Sequence, residues 1–466
     1  MGNIKPKELS KLGLVDDAAR SLTLNIISKN YKHHSREEII SLIKDVVISP
    51  GKYQSDSVWK SVAAKLIGDI VSNDFQVYDL LKVPQMLKVF GGKQIESLAK
   101  QQIDYCLRLP IALQGALMAD AHEGFGMPIG GVLATANTVI PYAVGQDIGC
   151  RMALSIIDER PSYLKRNSFA IKNAIKYFTH FGMDGHLEFE QEHAILEDAR
   201  FQETALLKSV FPKAVYQLGT SGGGNHFVEM GTVRLKEGNT VGVPAGEYVG
   251  LLSHSGSRGV GATIAKYFIQ LAMEKCRLPK QAKSLAWLDL NSDEGMEYWL
   301  SMQLAGDYAK ACHEQIHRNV LKSLGLDAIA VVENHHNFAW KEQNEKGEDI
   351  IVHRKGATPA HKGELGIIPG NMVDDAFIVS GRGASSSLQS ASHGAGRLMS
   401  RQKAKDSMTV SDLKKRLNQY GVTLIGGSVE EHPFAYKDIS TVMEAQKELV
   451  DVQGVFTPKI VRMNKE

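Results

Sequence analysis

The sequence predicts a mixed fold of helices and sheets (α/β, or α+β), with one large catalytic domain after a small helical extension. From about residue 86 onward, short β-rich runs alternate with helical stretches, and glycine becomes frequent over the same part of the chain. Interleaved strands and helices are typical of α/β and α+β proteins. The preceding residues hold few glycines and many Lys, Ser, Leu and Ile. We therefore expect a helical extension over residues 1–85 and a catalytic domain over residues 86–466.

The extension shows helical periodicity in two segments. Residues 35–47 and 55–71 place apolar side chains at helical spacing. Ser35 and Glu38 form an S-x-x-E capping box at the start of the first segment. Pro50, followed by a glycine, predicts a turn between two helices.

The larger region predicts elements of both kinds. The β-rich runs lie at 130–135, 137–142, 248–253, 327–332 and 375–380. Helices are expected at 189–210, 260–278, 297–324 and 397–419. No fixed-period repeat or low-complexity linker divides this region, so one catalytic unit is favoured over two independent domains.

Composition excludes several classes of protein. Apolar residues make up 43% of the 466 residues, and 54 Lys and Arg against 52 Asp and Glu give a net charge of +2. A balanced charge gives no sign of a polyanionic partner, so any nucleic-acid contact must come from local patches. The four cysteines form no CxxC pair, which fits a reducing compartment. We see no signal peptide and no apolar run near the roughly 18 residues of a membrane span, and expect a cytoplasmic protein with no membrane contact.

Five residues in glycine-, serine- or asparagine-rich stretches offer the chemistry of a transition-metal site. They supply one carboxylate, one thiol and three imidazoles: Asp147, Cys150, His226, His254 and His336. A thiolate can bridge two divalent ions, and neutral imidazole is a common ligand. Any one of these histidines alone would be read as an ordinary core or surface residue, and the cysteine alone as a small apolar residue. The spacing leaves a hydrolase, a dioxygenase and a ligase open.

Three glycine-rich loops carry a histidine each, at 219–227, 253–261 and 392–397. Such loops present backbone N–H groups to phosphate oxygens, although none matches a Walker A or dinucleotide pattern. His393 lies in the third loop with Arg397 close behind. An imidazole can attack phosphorus, and the arginine would stabilise charge on the transferred group. A further metal ligand or a plain helix-start histidine are the alternatives for His393.

Two basic runs could contact nucleic-acid phosphates. They cover residues 352–363 and 397–405. The alternative is an ordinary solvated face. Neither run interleaves aromatic residues, so base stacking is not indicated there.

The motifs together resemble the RtcB family of RNA-splicing ligases. The matching stretches are D-A-H-E-G-F-G-M-P-I-G-G (120–131), V-G-Q-D-I-G-C (144–150), G-G-G-N-H-F-V-E (222–229), H-S-G-S-R-G (254–259), H-H-N (335–337), V-H-R-K-G-A-T (352–358), H-G-A-G-R-x-M-S-R (393–401) and A-Y-K-D (435–438). They follow one another in family order from about residue 90 to the C-terminus.

The resemblance implies a single domain with sheets around a metal cleft. It implies an RNA ligase that joins a 3′-phosphate or 2′,3′-cyclic phosphate end to a 5′-hydroxyl end in RNA repair or tRNA splicing, using GTP and two Mn(II) ions. The five residues above would hold the ions, with Cys150 bridging, and His393 would carry GMP. Asp120 lies in a motif near the site. An activating protein is a further partner that the sequence neither requires nor excludes.

The resemblance also implies binding residues. Nucleotide contacts fall on Asn225, Glu229, Asn337, Asn371, Gly394, Ala395, Gly396, Tyr436 and the penultimate Lys465. Arginines and lysines in or beside the basic motifs would hold RNA: Arg258, Arg354, Lys355, Arg397 and Arg401.

The chain departs from the family pattern at four positions. Asn371 replaces a serine, Arg151 a glycine, Glu123 a large apolar or aromatic residue, and Glu466 a terminal glycine. These changes leave open which RNA end and nucleotide the protein prefers. A phosphoesterase that trims cyclic ends without sealing, and an RNA-end-binding protein without activity, are the alternatives. The complete metal set and the intact H-G-A-G-R favour the ligase.

Overall fold

The computed structural model describes residues 4–14, 17–31, 34–70 and 75–464. The chain divides into two compact units, residues 1–75 and residues 76–466.

The first unit is helical, as the sequence predicts. Its helices are α1 (Pro6–Lys11), α2 (Asp17–Asn30), α3 (Arg36–Ile48) and α4 (Lys60–Ile70). Leu9, Ile43 and Trp59 pack in its own apolar core. Ser35 caps α3, with the reciprocal bond from Glu38 that the capping box requires. A 3-10 turn begins at Pro50 and separates α3 from α4.

The second unit mixes helices and strands. Its helices are α5 (Ser97–Leu107), α6 (Pro141–Val144), α7 (Ser162–Arg166), α8 (Ser168–Phe178), α9 (Ala205–Gln217), α10 (Arg258–Lys275), α11 (Asp293–Leu324), α12 (Arg401–Ser407), α13 (Val410–Gln419) and α14 (Ile439–Ala445). Its strands are β1 (Gln76–Val77), β2 (Met86–Val89), β3 (Ala112–His122), β4 (Ile129–Thr135), β5 (Thr138–Val139), β6 (Arg151–Ile157), β7 (Phe227–Leu235), β8 (Gly246–Ser255), β9 (Cys276–Arg277), β10 (Leu288–Asp289), β11 (Ala328–His335), β12 (Asn337–Gln343), β13 (Asp349–Lys355), β14 (Ala357–Pro359), β15 (Leu365–Ile368), β16 (Ala376–Gly381), β17 (Ser390–Ser392), β18 (Thr423–Gly426) and β19 (Val450–Met463).

An eight-stranded sheet forms the larger layer of this unit. Its order is β11-β6-β8-β7-β19-β16-β15, with β18 beside β19. One apolar cluster contains Val332 from one edge strand, Ile367 from the other, and Phe456 from the middle. Residues from both edges share this cluster, so the sheet curves around it. Helices α8 and α11 cover the opposite face.

A five-stranded sheet forms the second layer, in the order β12-β13-β4-β3-β2. Its inner strands β13, β4 and β3 are largely buried on both faces, whereas the edge strands β12 and β2 are partly exposed. Leu117 and Leu133 pack into the core that α5, α10 and α11 share, whereas Val132 and Val352 pack with residues of β15, β16 and α14. This unit combines helices with mainly antiparallel sheets, which confirms the predicted mixed fold of helices and sheets.

The boundary between the units lies earlier than composition indicates. The strand β1 pairs with β9, and the backbone N–H groups of Leu81 and Gln85 donate to carbonyls at the end of α5. The segment 76–85 therefore packs with the second unit, whereas its composition groups it with the helical extension.

One predicted helix is wrong over most of its length. Residues 189–204 hold two 3-10 turns, and α9 begins only at Ala205. The side chains of His193, Asp198 and Thr204 each accept a bond from a backbone N–H two or three residues on. Such local bonds compete with a continuous helix. The predicted helix at 397–419 is likewise split, because Thr409 caps α13.

The long helix α11 passes close behind the Q-D-I-G-C motif. Gly149 has φ of +69°, and a Cβ there would lie 2.7 Å from the Cα of Gly306 in α11. Only glycine permits both the backbone angle and this approach. Among the described helices, none combines the length and apolar character that a membrane span needs.

Candidate active site

Four of the predicted metal ligands meet at one end of the eight-stranded sheet. Cys150 directly precedes β6, His226 directly precedes β7, His254 lies near the end of β8, and His336 directly follows β11. These strands are antiparallel neighbours, so the start of one lies beside the end of the next. The sheet thereby collects side chains that are far apart in sequence.

The donor atoms of these residues converge. Cys150 Sγ lies 3.3 Å from His226 Nε2 and 3.2 Å from His254 Nε2. Asp147 Oδ2 lies 3.0 Å from His226 Nε2, and His254 Nε2 lies 3.2 Å from His336 Nε2. Two groups have all donor atoms within 4.8 Å of one another, namely Asp147, Cys150 and His226, and Cys150, His254 and His336. Cys150 belongs to both groups, which is the arrangement expected of a thiolate shared by two ions.

The histidines have the electronic state that a metal ligand needs. Burial lowers the pKa of His254 to about 3 and holds the pKa of His336 well below its usual range, so both rings are neutral. His254 Nδ1 lies 3.1 Å from the carbonyl oxygen of Asn225. The proton therefore sits on Nδ1, and the lone pair on Nε2 points at Cys150 and His336.

The thiol of Cys150 and the carboxylate of Asp147 are also suited to bind a cation. Burial, with the Asp147 carboxylate beside it, raises the pKa of Cys150 well above its usual range. A divalent cation at this point would supply the charge that stabilises the thiolate. Burial acts to raise the pKa of Asp147, but the contacts with His226 and Cys150 and the charge of His254 together lower it to about 2. Sulfur, nitrogen and oxygen donors together suit a transition metal.

His393 lies beside this cluster but faces a different partner. Its ring centroid is 4.9 Å from that of His336. His393 Nδ1 lies 2.7 Å from Asp120 Oδ2, and the same oxygen accepts the backbone N–H groups of His393 (3.1 Å) and Gly394 (3.3 Å). An ionised carboxylate accepts a hydrogen bond from Nδ1–H, which leaves Nε2 free of this contact.

Asp120 is held ionised although it is fully buried. Burial acts to raise its pKa, but the hydrogen bond and charge of His393, with His122 and Lys437 nearby, hold the pKa below its usual value. Lys437 Nζ donates to the carbonyls of Ala119 and Ala121 on either side. The sequence placed Asp120 only near the site. Its pairing with His393 was missed because the two lie 273 positions apart.

Gly396 fits tightly against the same strand. It has φ of +74°, and a Cβ there would lie 2.0 Å from the carbonyl oxygen of Asp120. The predicted nucleotide loop therefore needs glycine here for packing as well as for backbone access.

A cavity of about 750 Å³ opens over these residues. Most of the predicted site residues line it: Asp147, Cys150, Asn225, His226, Glu229, His254, His336, Asn337, Lys355, Asn371, His393, Gly394, Ala395, Gly396, Arg397, Arg401 and Tyr436. Arg258 and Arg354 do not line it, and Lys465 and Glu466 lie outside the described residues.

Several predicted nucleotide residues are already bonded within the protein. Asn371 Oδ1 accepts the N–H groups of Val373 and Asp374, and Nδ2 donates to Asp374 Oδ2 at 2.6 Å. Asn337 donates to the carbonyl of Asp147 and accepts from the N–H of Gly356. These amides shape the cavity wall. Burial raises the pKa of Glu229 to about 8.

The prediction that Arg354 contacts RNA is wrong. Its side chain is fully buried and pairs with Glu342 at 2.6 Å, stacked over Trp340 at 4.6 Å. The basic run falls on β13, a central strand that is covered on both faces. Lys355, on the same strand, is also buried, and its ammonium donates to the carbonyls of Phe125 and Tyr142.

The other predicted RNA contacts lie nearer to solvent and are also paired. Arg258 donates to Thr220 Oγ1 at 3.0 Å. Arg397 pairs with Glu431 at 3.0 Å and lies over the ring of Tyr436. Arg401 pairs with the same glutamate at 2.7 Å, with its side chain 48% exposed. Arg401 is the most exposed of the three, and it lines the cavity together with Arg397.

Two departures from the family pattern lie in different surroundings, one buried and one exposed. Arg151 is buried and pairs with Glu333 at 3.2 Å. Glu123 is exposed at the mouth of the cavity.

Comparison with known proteins places the chain among RNA ligases. A family model described as "tRNA-splicing ligase RtcB" matches residues 102–197 and 166–464. The RNA-splicing ligase RtcB of Escherichia coli K12 is 34% identical over 393 residues, which cover 78% of this chain and 93% of that protein. The tRNA-splicing ligases RtcB of Nanoarchaeum equitans and Methanococcus maripaludis are each 29% identical, over 72% and 70% of this chain and 84% and 82% of their own lengths.

Proposed function

This chain belongs to the RtcB family of tRNA-splicing ligases, and on that premise we propose that it seals RNA through a GMP carried on His393. The ends joined are a 3′-phosphate, or a 2′,3′-cyclic phosphate once opened, and a 5′-hydroxyl. The process served is tRNA splicing or RNA repair. The proposal rests above all on one observation: His393, oriented by buried Asp120, adjoins a convergent set of metal-binding side chains.

Asp147, Cys150, His226, His254 and His336 would hold two Mn(II) ions, since Cys150 belongs to both groups of donor atoms. Divalent cations there would stabilise charge on the α-phosphate and on the departing pyrophosphate. Sulfur and nitrogen donors suit Mn(II) only moderately by softness, so this metal is inferred from the family.

In the first step, His393 Nε2 attacks the α-phosphorus of GTP. A phosphorus–nitrogen bond forms, and the bond to pyrophosphate breaks. Asp120 keeps the Nδ1 proton in its hydrogen bond and stabilises the positive charge that develops on the ring. The hydrogen bond from Nδ1 to Asp120 therefore fixes the ring and leaves Nε2 as the attacking atom.

In the later steps, an oxygen of the RNA 3′-phosphate attacks the same phosphorus and releases His393. The 5′-hydroxyl then attacks the activated 3′-phosphate, and GMP leaves. A cavity of about 750 Å³ lies within the range of nucleotide- and cofactor-sized pockets. Glu229, Asn225, Tyr436 and the Gly394–Gly396 loop would contact the nucleotide, as would Asn337, Asn371 and Lys465.

The buried free cysteines fit a reducing compartment, and we propose a cytoplasmic location. An activating protein is a further proposed partner.

The test is a sealing assay with two RNA strands, one ending in 3′-phosphate and one in 5′-hydroxyl, with Mn(II) and GTP. We expect a joined product from the wild type and none from His393→Ala. Loss of the terminal phosphate without joining would instead indicate a phosphoesterase. Binding without any change in either strand would indicate an end-binding protein.

A further inference from the structure

Phe125 is an exposed aromatic residue at the rim of the cavity. Its side chain is 78% exposed, and it lines the same cavity as Gly145, Gln146 and Asp147. A single exposed apolar side chain is ordinary on a protein surface. What distinguishes Phe125 is how firmly the surrounding backbone is held.

The loop is fixed on its first side by Gln102. The amide of this side chain donates to the carbonyl of Gly124 and accepts from the N–H of the same residue at 3.1 Å. On the other side of Phe125, Met127 is fully buried in the main core. The backbone on both sides of the phenyl ring is thus anchored.

Lys355 holds the residue itself. Its ammonium donates to the carbonyl of Phe125 and, at 3.1 Å, to the carbonyl of Tyr142. Burial lowers the pKa of Lys355 to about 8, so the fold sustains an unfavourable buried cation at this place. Tyr142 is in α6, just before the segment that carries Asp147. The ammonium of Lys355 therefore connects the loop of Phe125 to the segment that carries Asp147.

The charges around the ring favour a base over a phosphate. Glu123 is exposed two residues before Phe125 and would repel a phosphate. The nearby ammonium of Lys355 is buried and directed at carbonyl oxygens. A flat aromatic face stacks on any nucleobase without sequence preference, which suits an enzyme that acts on RNA ends.

We propose that Phe125 is a stacking platform for the nucleobase at the RNA end that enters the cleft. This inference rests on the proposed RNA substrate and adds a positioning contact to it. The base comes from either the 5′-hydroxyl strand or the 3′-phosphate strand, and the experiment distinguishes the two.

The experiment measures RNA binding by fluorescence anisotropy without GTP, so its result does not depend on sealing. Labelled strands end in 3′-phosphate or 5′-hydroxyl. Phe125→Ala should raise Kd for one strand by about 5- to 150-fold, which corresponds to the loss of one base stack. Phe125→Leu should raise Kd nearly as much as Phe125→Ala, because leucine is apolar but not aromatic. Phe125→Tyr keeps an aromatic ring and should bind with the Kd of the wild type.

Phe169→Ala is the matched control, because Phe169 is 79% exposed on α8 and does not line the cavity. It should leave Kd unchanged. Melting temperatures of all variants near that of the wild type would show that folding is intact.

A terminal abasic nucleotide provides the second arm. It should weaken binding of the stacked strand to the wild type and have little effect on Phe125→Ala. Unchanged Kd in Phe125→Ala, or an equal abasic effect in both proteins, would overturn the proposal. So would a wild type that binds neither strand. A wild type that binds RNA but seals nothing would contradict the proposed ligase while leaving the stacking result valid.

Discussion

Asp120 Oδ2 lies 2.7 Å from Nδ1 of His393, in a place where the carboxylate is fully buried. The same oxygen accepts two backbone N–H groups, so the acid is fixed before any ligand arrives. The pair selects one tautomer of His393, the one with a free lone pair on Nε2.

Asp120→Asn should therefore slow GMP transfer while the fold persists. The amide oxygen would still accept the two backbone N–H groups and the Nδ1–H, but the neutral side chain could no longer stabilise the positive charge that develops on the ring as Nε2 attacks. We expect a loss of about 10²- to 10⁴-fold in the rate of labelling by GTP, the scale of a general acid–base contribution. Single-turnover labelling measures it, and a rate equal to the wild type would show that Asp120 does not orient His393.

The metal cluster predicts stabilisation by Mn(II). A ligand that binds only the folded state at 100 times its Kd adds about 2.7 kcal/mol to the free energy of unfolding. Addition of Mn(II) should raise the melting temperature of the wild type, and Cys150→Ser should lose most of that rise. Cys276→Ser is the control, because Cys276 is also buried but does not line the cavity. Equal shifts in both variants would remove Cys150 from the ligand set.

The candidate metal ligands could be predicted from the sequence, whereas the burial of Arg354 could not. The candidate metal ligands are predicted from their glycine-, serine- or asparagine-rich stretches, and the antiparallel strand ends bring their donor atoms together. The basic run at 352–355 predicts a phosphate contact only if its charged side chains are exposed. Its strand is central in a sheet, where Arg354 is neutralised by Glu342. Whether Arg354 is buried depends on which strands pair with β13 and on its contact with Glu342, and the local sequence shows neither.

The same limit applies to the helices. The long helix α11 and the capping box at Ser35 follow from periodicity and local chemistry. The segment 189–204 has helix-forming residues but is divided by side-chain bonds to its own backbone.

Arg354→Met should destabilise the protein and leave RNA affinity unchanged. Removing one partner of a buried ion pair costs about 3–5 kcal/mol, since it leaves Glu342 without its closest cation. Urea unfolding measures the loss. The dependence of RNA binding on salt should keep its slope, whereas loss of a phosphate contact would reduce that slope by about one. A lower slope with normal stability would restore Arg354 as an RNA contact.

Glu229 should make stability depend on pH. Burial raises its pKa from the ordinary 4.5 to about 8. Between these values the unfolded chain has lost the proton that the folded chain keeps, so the free energy of unfolding falls as pH rises from about 4.5 to about 8. One proton contributes at most about 1.4 kcal/mol per pH unit. Unfolding in urea at several pH values should show a shallower decline in Glu229→Gln. The same decline in both proteins would mean that Glu229 titrates normally.

The covalent adduct tests the central claim most directly. The protein is incubated with Mn(II) and GTP labelled at the α-phosphate, denatured, and digested to find the labelled peptide, with His393→Ala alongside. The account predicts acid-labile label on the peptide that contains His393 and none on the variant. Label at another residue, or no label on a wild type that has bound metal and GTP, would contradict it.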